Sequence, residues 1–196
     1  MAPKKVLILG ANGQLARNTT RIFLERTDAV LTLYLRQAHR LRNPDPARTT
    51  IFEGDVLDAT ALTEAMKGQD VVYANLVGAM KLQAEHILVA MHATGVKRLI
   101  FIGSMGIYGE VAGEKYRSIL DPYRDSAAVI EASDVDYTIL RPGWFTSAKG
   151  RPYRATQKGE PFVGHDVSLD GVSDLIVKLA TDPRLEVRRS LGVSDT

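Results

Sequence analysis

The chain reads as an α/β protein, a doubly wound parallel sheet with helices on both faces, folded as a single domain. Three observations predict this. Short apolar runs alternate with segments of helical periodicity along the 196 residues, the pattern of βαβ units. The runs are continuous rather than alternating, as strands buried on both faces require. A glycine-containing turn separates the first run from the first helix. Domains commonly span roughly 100–200 residues, and no internal repeat, low-complexity tract or linker divides this chain.

Taken in order, Val6-Leu7-Ile8-Leu9 is the first strand, followed by a helix from Gln14 to Arg26. Val30–Leu35 is the second strand, Asn43-Pro44-Asp45-Pro46 a loop, and Thr50–Glu53 a short third strand. Asp58 or Thr60 caps a helix that runs to Lys67, with Gly68 as its stop, because glycine readily takes the left-handed conformation that ends helices. Val71–Ala74 is strand four, Met80–Thr94 a helix ended by Gly95, and Leu99–Ile102 strand five. Asp121-Pro122 reads as an N-cap followed by proline at the first helical position, opening a helix to Ser133. Tyr137–Leu140 is strand six, Asp170–Thr181 the last helix, and Ser190–Val193 a closing strand. Two connections are long, from Gly103 to Asp121 and from Gly143 to Val167. Both follow the carboxyl ends of strands, where open α/β sheets bind ligands. The second forms a small lobe on the substrate side.

Composition narrows the chemistry. Lys plus Arg number 25 and Asp plus Glu 23, a net charge of +2 with no basic stripe or acidic tail, so nothing suggests a nucleic-acid partner. The chain has no cysteine, which excludes disulfides, thiolate metal sites and cysteine nucleophiles and suits a reducing cytoplasm. The apolar run after Lys4-Lys5 stops at Gly10, too short for a signal peptide. No segment approaches the roughly 18 apolar residues of a membrane span. The 4 histidines, His39, His86, His92 and His165, form no metal-binding pattern, and no metal is expected. Neither a His-Glu-x-x-His nor a Gly-x-Ser-x-Gly motif occurs, which argues against a hydrolase.

The first turn, Gly10-Ala11-Asn12-Gly13-Gln14-Leu15-Ala16, carries the strongest chemical signal. It follows a strand and opens a helix. Gly10 permits a tight bend, Gly13 lets backbone approach a pyrophosphate, and Ala16 allows close helix–strand packing. The N–H groups of the next helical turn and the helix dipole face the phosphates. This is the dinucleotide-binding fingerprint of a Rossmann-like fold. At the end of the second strand stands Arg36, with His39 and Arg40 close behind. An acid there would accept from a ribose 2′-OH, whereas a guanidinium suits a 2′-phosphate. NADP(H) is therefore expected in preference to NAD(H).

With these residues in view, the chain resembles the atypical short-chain dehydrogenase/reductase family, in particular its compact NmrA-like or NAD(P)H-binding type. The likeness spans nearly the whole chain. It is most specific at Gly10-Ala11-Asn12-Gly13, at Gly54-Asp55-Val56-Leu57-Asp58 and at Arg141-Pro142-Gly143. The resemblance implies that Asp55 and Val56 lie by the adenine and that Asn75 and Leu76 line the path to the nicotinamide ribose. It places Ser104 facing the nicotinamide, and Pro142, Gly143 and Trp144 closing that side. Plainer readings stand beside these: Asp55 as a turn carboxylate serving its own backbone, Pro142-Gly143 as a strand-ending turn, and Trp144 as a core residue.

The family's proton relay is Tyr-x-x-x-Lys on a helix, the lysine lowering the tyrosine pKa. None of the 7 tyrosines has a lysine four positions on. Tyr123 sits at the expected helix, but the matching position is Ala127. Tyr137 is followed by Arg141 at that spacing, but on a strand, where four residues span far more than a helical turn. Ser104 and Tyr108, within Gly103-Ser104-Met105-Gly106-Ile107-Tyr108-Gly109, are substitutes able to hydrogen-bond a carbonyl. Lys115 and Lys149 approach from the two long connections. Tyr108 as a packed aromatic and both lysines as solvated residues is the competing reading. Lys149, Arg151, Arg154 and Lys158 are either an anion-meeting set or a solvated basic loop. With the chain ending soon after the closing strand, little is expected to hold a sugar nucleotide. Two functions remain: an NADP(H)-dependent oxidoreductase acting on a small carbonyl, quinone or flavin-like acceptor, or a non-catalytic NADP(H)-binding redox sensor.

Overall fold

The computed structural model of the chain describes residues 2–148 and 152–196. Lys149 and Arg151 therefore lie outside the described residues. The strands are β1 (Lys5–Leu9), β2 (Val30–Leu35), β3 (Thr49–Glu53), β4 (Val71–Ala74), β5 (Arg98–Ile102), β6 (Asp136–Pro142), β7 (Trp144–Thr146), β8 (Tyr153–Gln157), β9 (Asp166–Ser168) and β10 (Arg189–Asp195). The α-helices are α1 (Gln14–Arg26), α2 (Ala59–Met66), α3 (Met80–Thr94), α4 (Asp121–Glu131) and α5 (Leu169–Thr181).

Eight strands form one sheet in the order β3-β2-β1-β4-β5-β6-β10-β8. Every pairing is parallel except β8 with β10. The double winding follows from the side-chain alternation of a strand. Val6 and Ile8 of β1 point into a core shared with α1 and α5. Leu7 and Leu9 point the other way, into a core shared with α2, α3 and α4. The chain winds outward from β1 through β2 to β3, then returns to β4 on the opposite flank of β1. That reversal opens a crevice at the carboxyl ends of β1 and β4, the place where open α/β sheets take ligands.

One buried cation braces the far half of the sheet. Arg98 begins β5 and is 3% exposed. Its guanidinium donates to the carbonyls of Asp136 and Leu185 at 3.0 Å and of Leu179 at 3.3 Å. Burial pulls its pKa down to about 10, against the raising pull of Asp136 and Asp182.

Two sequence expectations are corrected. Asp121 is already helical, at φ −54° and ψ −46°, and Pro122 follows it inside the first turn. A 3-10 turn over Ser118–Leu120 supplies the helix entry, so the Asp121 carboxylate is freed from capping. It accepts from the Tyr116 hydroxyl at 2.8 Å and pairs with Arg124 at 3.1 Å. The stretch after Gly143 is not irregular. It contains β7 and β9, which pair with each other in parallel, and β8, which extends the main sheet. These strands are short and, except for Val167 and Ser168 of β9, half-buried or exposed, so no apolar run announces them. Among the described residues no helix is long and apolar enough to cross a membrane.

Candidate cofactor and active site

The glycine turn is closed mainly by backbone. Gly10 leaves β1 with φ 76°, a left-handed conformation that costs any residue with a Cβ. The amides of Gly10 and Ala11 both donate to the Tyr34 carbonyl, at 3.0 and 3.2 Å, and the Gly13 amide donates back to the Gly10 carbonyl at 3.0 Å. Asn75, just beyond β4, donates its amide to the Leu9 carbonyl at 3.0 Å and lies against both glycines. A Cβ on Gly10 would come within 2.1 Å of the Asn75 backbone carbonyl oxygen, and one on Gly13 within 2.5 Å of the Asn75 side-chain nitrogen Nδ2. Both glycines thus answer to the approach of Asn75 across the crevice. Leu76 packs over the same bend, 3.4 Å from the position of a Gly10 Cβ.

What the turn leaves open suits an anion. Gly13 caps α1 without any side-chain acceptor, and the first turn of α1 holds no acid. The leading amides of an α-helix have no partner within it, so those of Gln14, Leu15 and Ala16 form a positive end that no carboxylate neutralises. Gln14 is exposed and Leu15 is buried beneath it. Asn12 contributes a buried side-chain oxygen with no hydrogen-bond donor. An acid-free helix end, a tight bend closed by main-chain hydrogen bonds and an orphaned acceptor together fit a diphosphate and a ribose hydroxyl.

The neighbouring strand ends build a second compartment. Tyr34 of β2 stacks on Phe52 of β3, with ring centroids 5.5 Å apart, and its hydroxyl donates to the Asp55 carbonyl at 2.8 Å. Burial, helped by Asp58 and Asp55, pushes the Tyr34 pKa up to about 12. The Asp55 carboxylate accepts from the Leu57 amide at 2.9 Å, so it does serve its own turn. Val56 is buried in the core. Arg36 is exposed at the end of β2, and no ion pair holds it among the described residues. Sequence reading missed Glu53, which pairs in register with Leu35 and accepts from the Ala38 amide at 2.7 Å. It shapes the loop carrying Arg36, and only strand pairing reveals it.

Beyond β5 the connection that carries Ser104 is held by a buried ion pair. Arg141 of β6 is fully buried and contacts Glu110. The Glu110 carboxylate also accepts from the amides of Gly106 at 3.0 Å and Tyr108 at 2.9 Å, while Arg141 donates to the Ser190 hydroxyl at 3.1 Å. The Ser104 hydroxyl donates to the Met105 carbonyl at 3.2 Å, and the Met105 amide to the Pro142 carbonyl at 3.3 Å. An arginine directly after the apolar run Tyr137–Leu140 was the available signal for a paired buried cation; Glu110 had none.

The two tyrosines occupy different settings. The Tyr108 hydroxyl donates to Glu131 at 2.8 Å and meets the Ser190 hydroxyl at 3.3 Å. Arg141 and Lys158 lie over its ring at 5.0 and 4.4 Å. Burial pushes its pKa up, opposite in sense to a lysine-assisted relay. Tyr123 is half-buried on α4 against the core. Four positions on, Ala127 is fully buried, so the helix face that would bear the relay lysine is packed.

Past β6, Gly143 donates its amide to the Val193 carbonyl at 2.9 Å, and a Cβ there would overlap the His165 carbonyl oxygen at 2.3 Å. Pro142 is buried. Trp144 is 55% exposed, which removes the reading of it as core; its ring lies against His165, centroids 6.3 Å apart. Of the basic set beyond it, Arg154 is exposed on β8 and Lys158 pairs with Glu131 at 2.7 Å.

A model of the family described as NAD(P)H-binding matches residues 10–183, from the first glycine of the turn to just past α5. The chain belongs to the NAD(P)H-binding family. This agrees with the resemblance to atypical short-chain dehydrogenases/reductases. A Rossmann-fold NAD(P)-binding family protein from Shigella flexneri is 40% identical, with 99% of this chain and 94% of that one covered and a TM-score of 0.88. A wide-type short-chain dehydrogenase/reductase from Veillonella parvula in complex with NADP is 28% identical, with 99% and 95% covered and a TM-score of 0.88. Quinone oxidoreductase 2 of Escherichia coli is 24% identical over 150 residues, 72% of this chain. The chain spans about half, 49%, of that relative's length.

Proposed function

We propose that this protein is an NADPH-dependent oxidoreductase that reduces a small acceptor, with quinone or flavin-like rings favoured over simple carbonyls. The observation that carries this reading is the acid-free, glycine-capped end of α1, closed by Asn75 and flanked by Arg36, which has no ion-pair partner among the described residues. In it, Gly10, Asn12, Gly13, Gln14 and Leu15 surround the diphosphate, and Arg36 meets the 2′-phosphate. Asp55 and Val56 border the adenine. Asn75 and Leu76 border the nicotinamide ribose, and Pro142, Gly143 and Ser104 the nicotinamide. The segment 143–167 forms the acceptor side of the single domain.

The cofactor supplies a hydride, one proton with two electrons. The protein orients the acceptor and offers the Ser104 hydroxyl to an acceptor oxygen. A quinone that receives the hydride needs one further proton to become the hydroquinone, and solvent provides it. This is why a quinone suits a site where Ala127 replaces the relay lysine and the Tyr108 hydroxyl is engaged by Glu131. The name of the Escherichia coli quinone oxidoreductase and the NADP complex of the Veillonella parvula protein support the same choice.

The engaged Tyr108 and the packed Ala127 equally favour a second reading, a non-catalytic NmrA-like sensor of the NADPH/NADP+ balance. A screen of NADPH oxidation against naphthoquinones, flavins and aldehydes decides between them. Turnover with quinones that falls on Ser104→Ala is expected. No turnover, with NADPH and NADP+ bound at different affinities by calorimetry, overturns the enzyme in favour of the sensor.

A further inference from the structure

The two long connections meet. The Phe162 amide donates to the Glu110 carbonyl at 2.9 Å, and Val111 forms a parallel bridge with Phe162. Beside this junction lies an open cleft of about 500 Å³ lined by Glu114, Lys115, Arg117, Trp144 and His165. Trp144 lies two positions past the end of β6, and Glu114, Lys115 and Arg117 belong to the connection that follows β5, its parallel neighbour. One wall is the exposed indole of Trp144, steadied by the His165 ring. The other carries two cations.

The disposition of those cations follows from local backbone. Arg117 is extended, at φ −120° and ψ 135°, and successive side chains of an extended segment point to opposite sides. Tyr116 is turned toward α4, where its hydroxyl donates to Asp121 and Arg124 lies 5.4 Å from its ring centre. Lys115 and Arg117 line the cleft. Neither has an ion-pair partner among the described residues. Glu114 is the acid on the lining, and Asp166 is engaged by the His165 ring nitrogen at 2.6 Å. A large exposed aromatic face opposite two cations, outnumbering the one acid on the lining, recognises a flat ring that bears negative charge.

We propose that this cleft binds a planar conjugated ring carrying an acidic substituent, such as a carboxylate, sulfonate or phosphate. The ring lies on Trp144 and the anion meets Lys115 and Arg117. Identifying this ligand as the acceptor of hydride rests on the function proposed above; the binding itself does not.

Trp144 is the single tryptophan of the chain, so intrinsic emission reads the cleft directly. The probes are anthraquinone-2-sulfonate and the neutral 2-(hydroxymethyl)anthraquinone, titrated into the protein with NADP+ present. Saturable quenching is expected for the sulfonate, with affinity roughly tenfold tighter than for the neutral ring, as two exposed charge contacts allow. Raising the salt and the double variant Lys115→Gln/Arg117→Gln should each erase the preference. Equal affinity for the two rings, or a preference that survives the double variant, overturns the proposal. Sulfonate binding without NADPH oxidation would retain the cleft and remove the oxidoreductase. Quinone reduction indifferent to the sulfonate and to both substitutions would retain the oxidoreductase and remove the cleft.

Discussion

The halves of the site on either side of β4 are built by different means. Toward β1, the bend at Gly10–Gly13 is shaped by main-chain hydrogen bonds and by the carbonyl and amide of Asn75 pressed against two missing Cβ atoms. Toward β6, the segment carrying Ser104 is shaped by a buried carboxylate–guanidinium pair that reaches Tyr108, Gly106 and Ser190. A site made from backbone presents the same N–H groups whatever side chains surround it, and it suits a ligand part that never varies. A site made from paired side chains changes with every substitution, and it suits a part that does.

Glu110→Ala tests the second half most severely. It strands Arg141 in the core without its counter-charge, and losing one partner of a buried pair costs about 3–5 kcal/mol. Urea unfolding should show that loss, while the double change Glu110→Leu/Arg141→Met should recover much of it. Stability unchanged in the single variant would mean the pair contributes nothing.

Gly10→Ala tests the first half. The left-handed backbone alone costs about 1–3 kcal/mol, and the overlap with the Asn75 carbonyl forces the crevice apart. NADPH affinity should collapse by more than the fold is weakened. An affinity that merely tracks stability would deny that the bend is the binding surface.

Arg36→Ala separates the two coenzymes. Losing one charge-assisted phosphate contact should weaken NADPH by about 1.5–3 kcal/mol and leave NADH unchanged in calorimetry. Equal weakening of both would refute the NADP preference.

Tyr108→Phe is the mildest. Its hydroxyl belongs to a network in which Lys158 still holds Glu131, so a loss of about 1 kcal/mol in stability is expected, with most quinone turnover retained. Turnover abolished at unchanged stability would return Tyr108 to the reacting set.

Much was legible along the chain because it is encoded locally. Helix α1, strands β2 and β4 and helix α3 stand where periodicity and their terminal signals put them, since apolar spacing and a glycine stop act over a few residues. The first strand, the doubly wound architecture and the glycine turn were readable for the same reason. Strands β7, β8 and β9 were not, because their few residues are ordered by partners far along the chain.

Other features rest wholly on distant residues brought side by side. Glu53 reaches the Arg36 loop because β2 and β3 pair in register. Glu110 finds Arg141 thirty-one positions on, and Lys115 with Arg117 comes to face Trp144 and His165 across an open cleft. Opposite charges and facing surfaces carry no periodicity in the chain. Their meeting depends on which strands lie adjacent, so folding in three dimensions, and not local order, settles where this cleft forms.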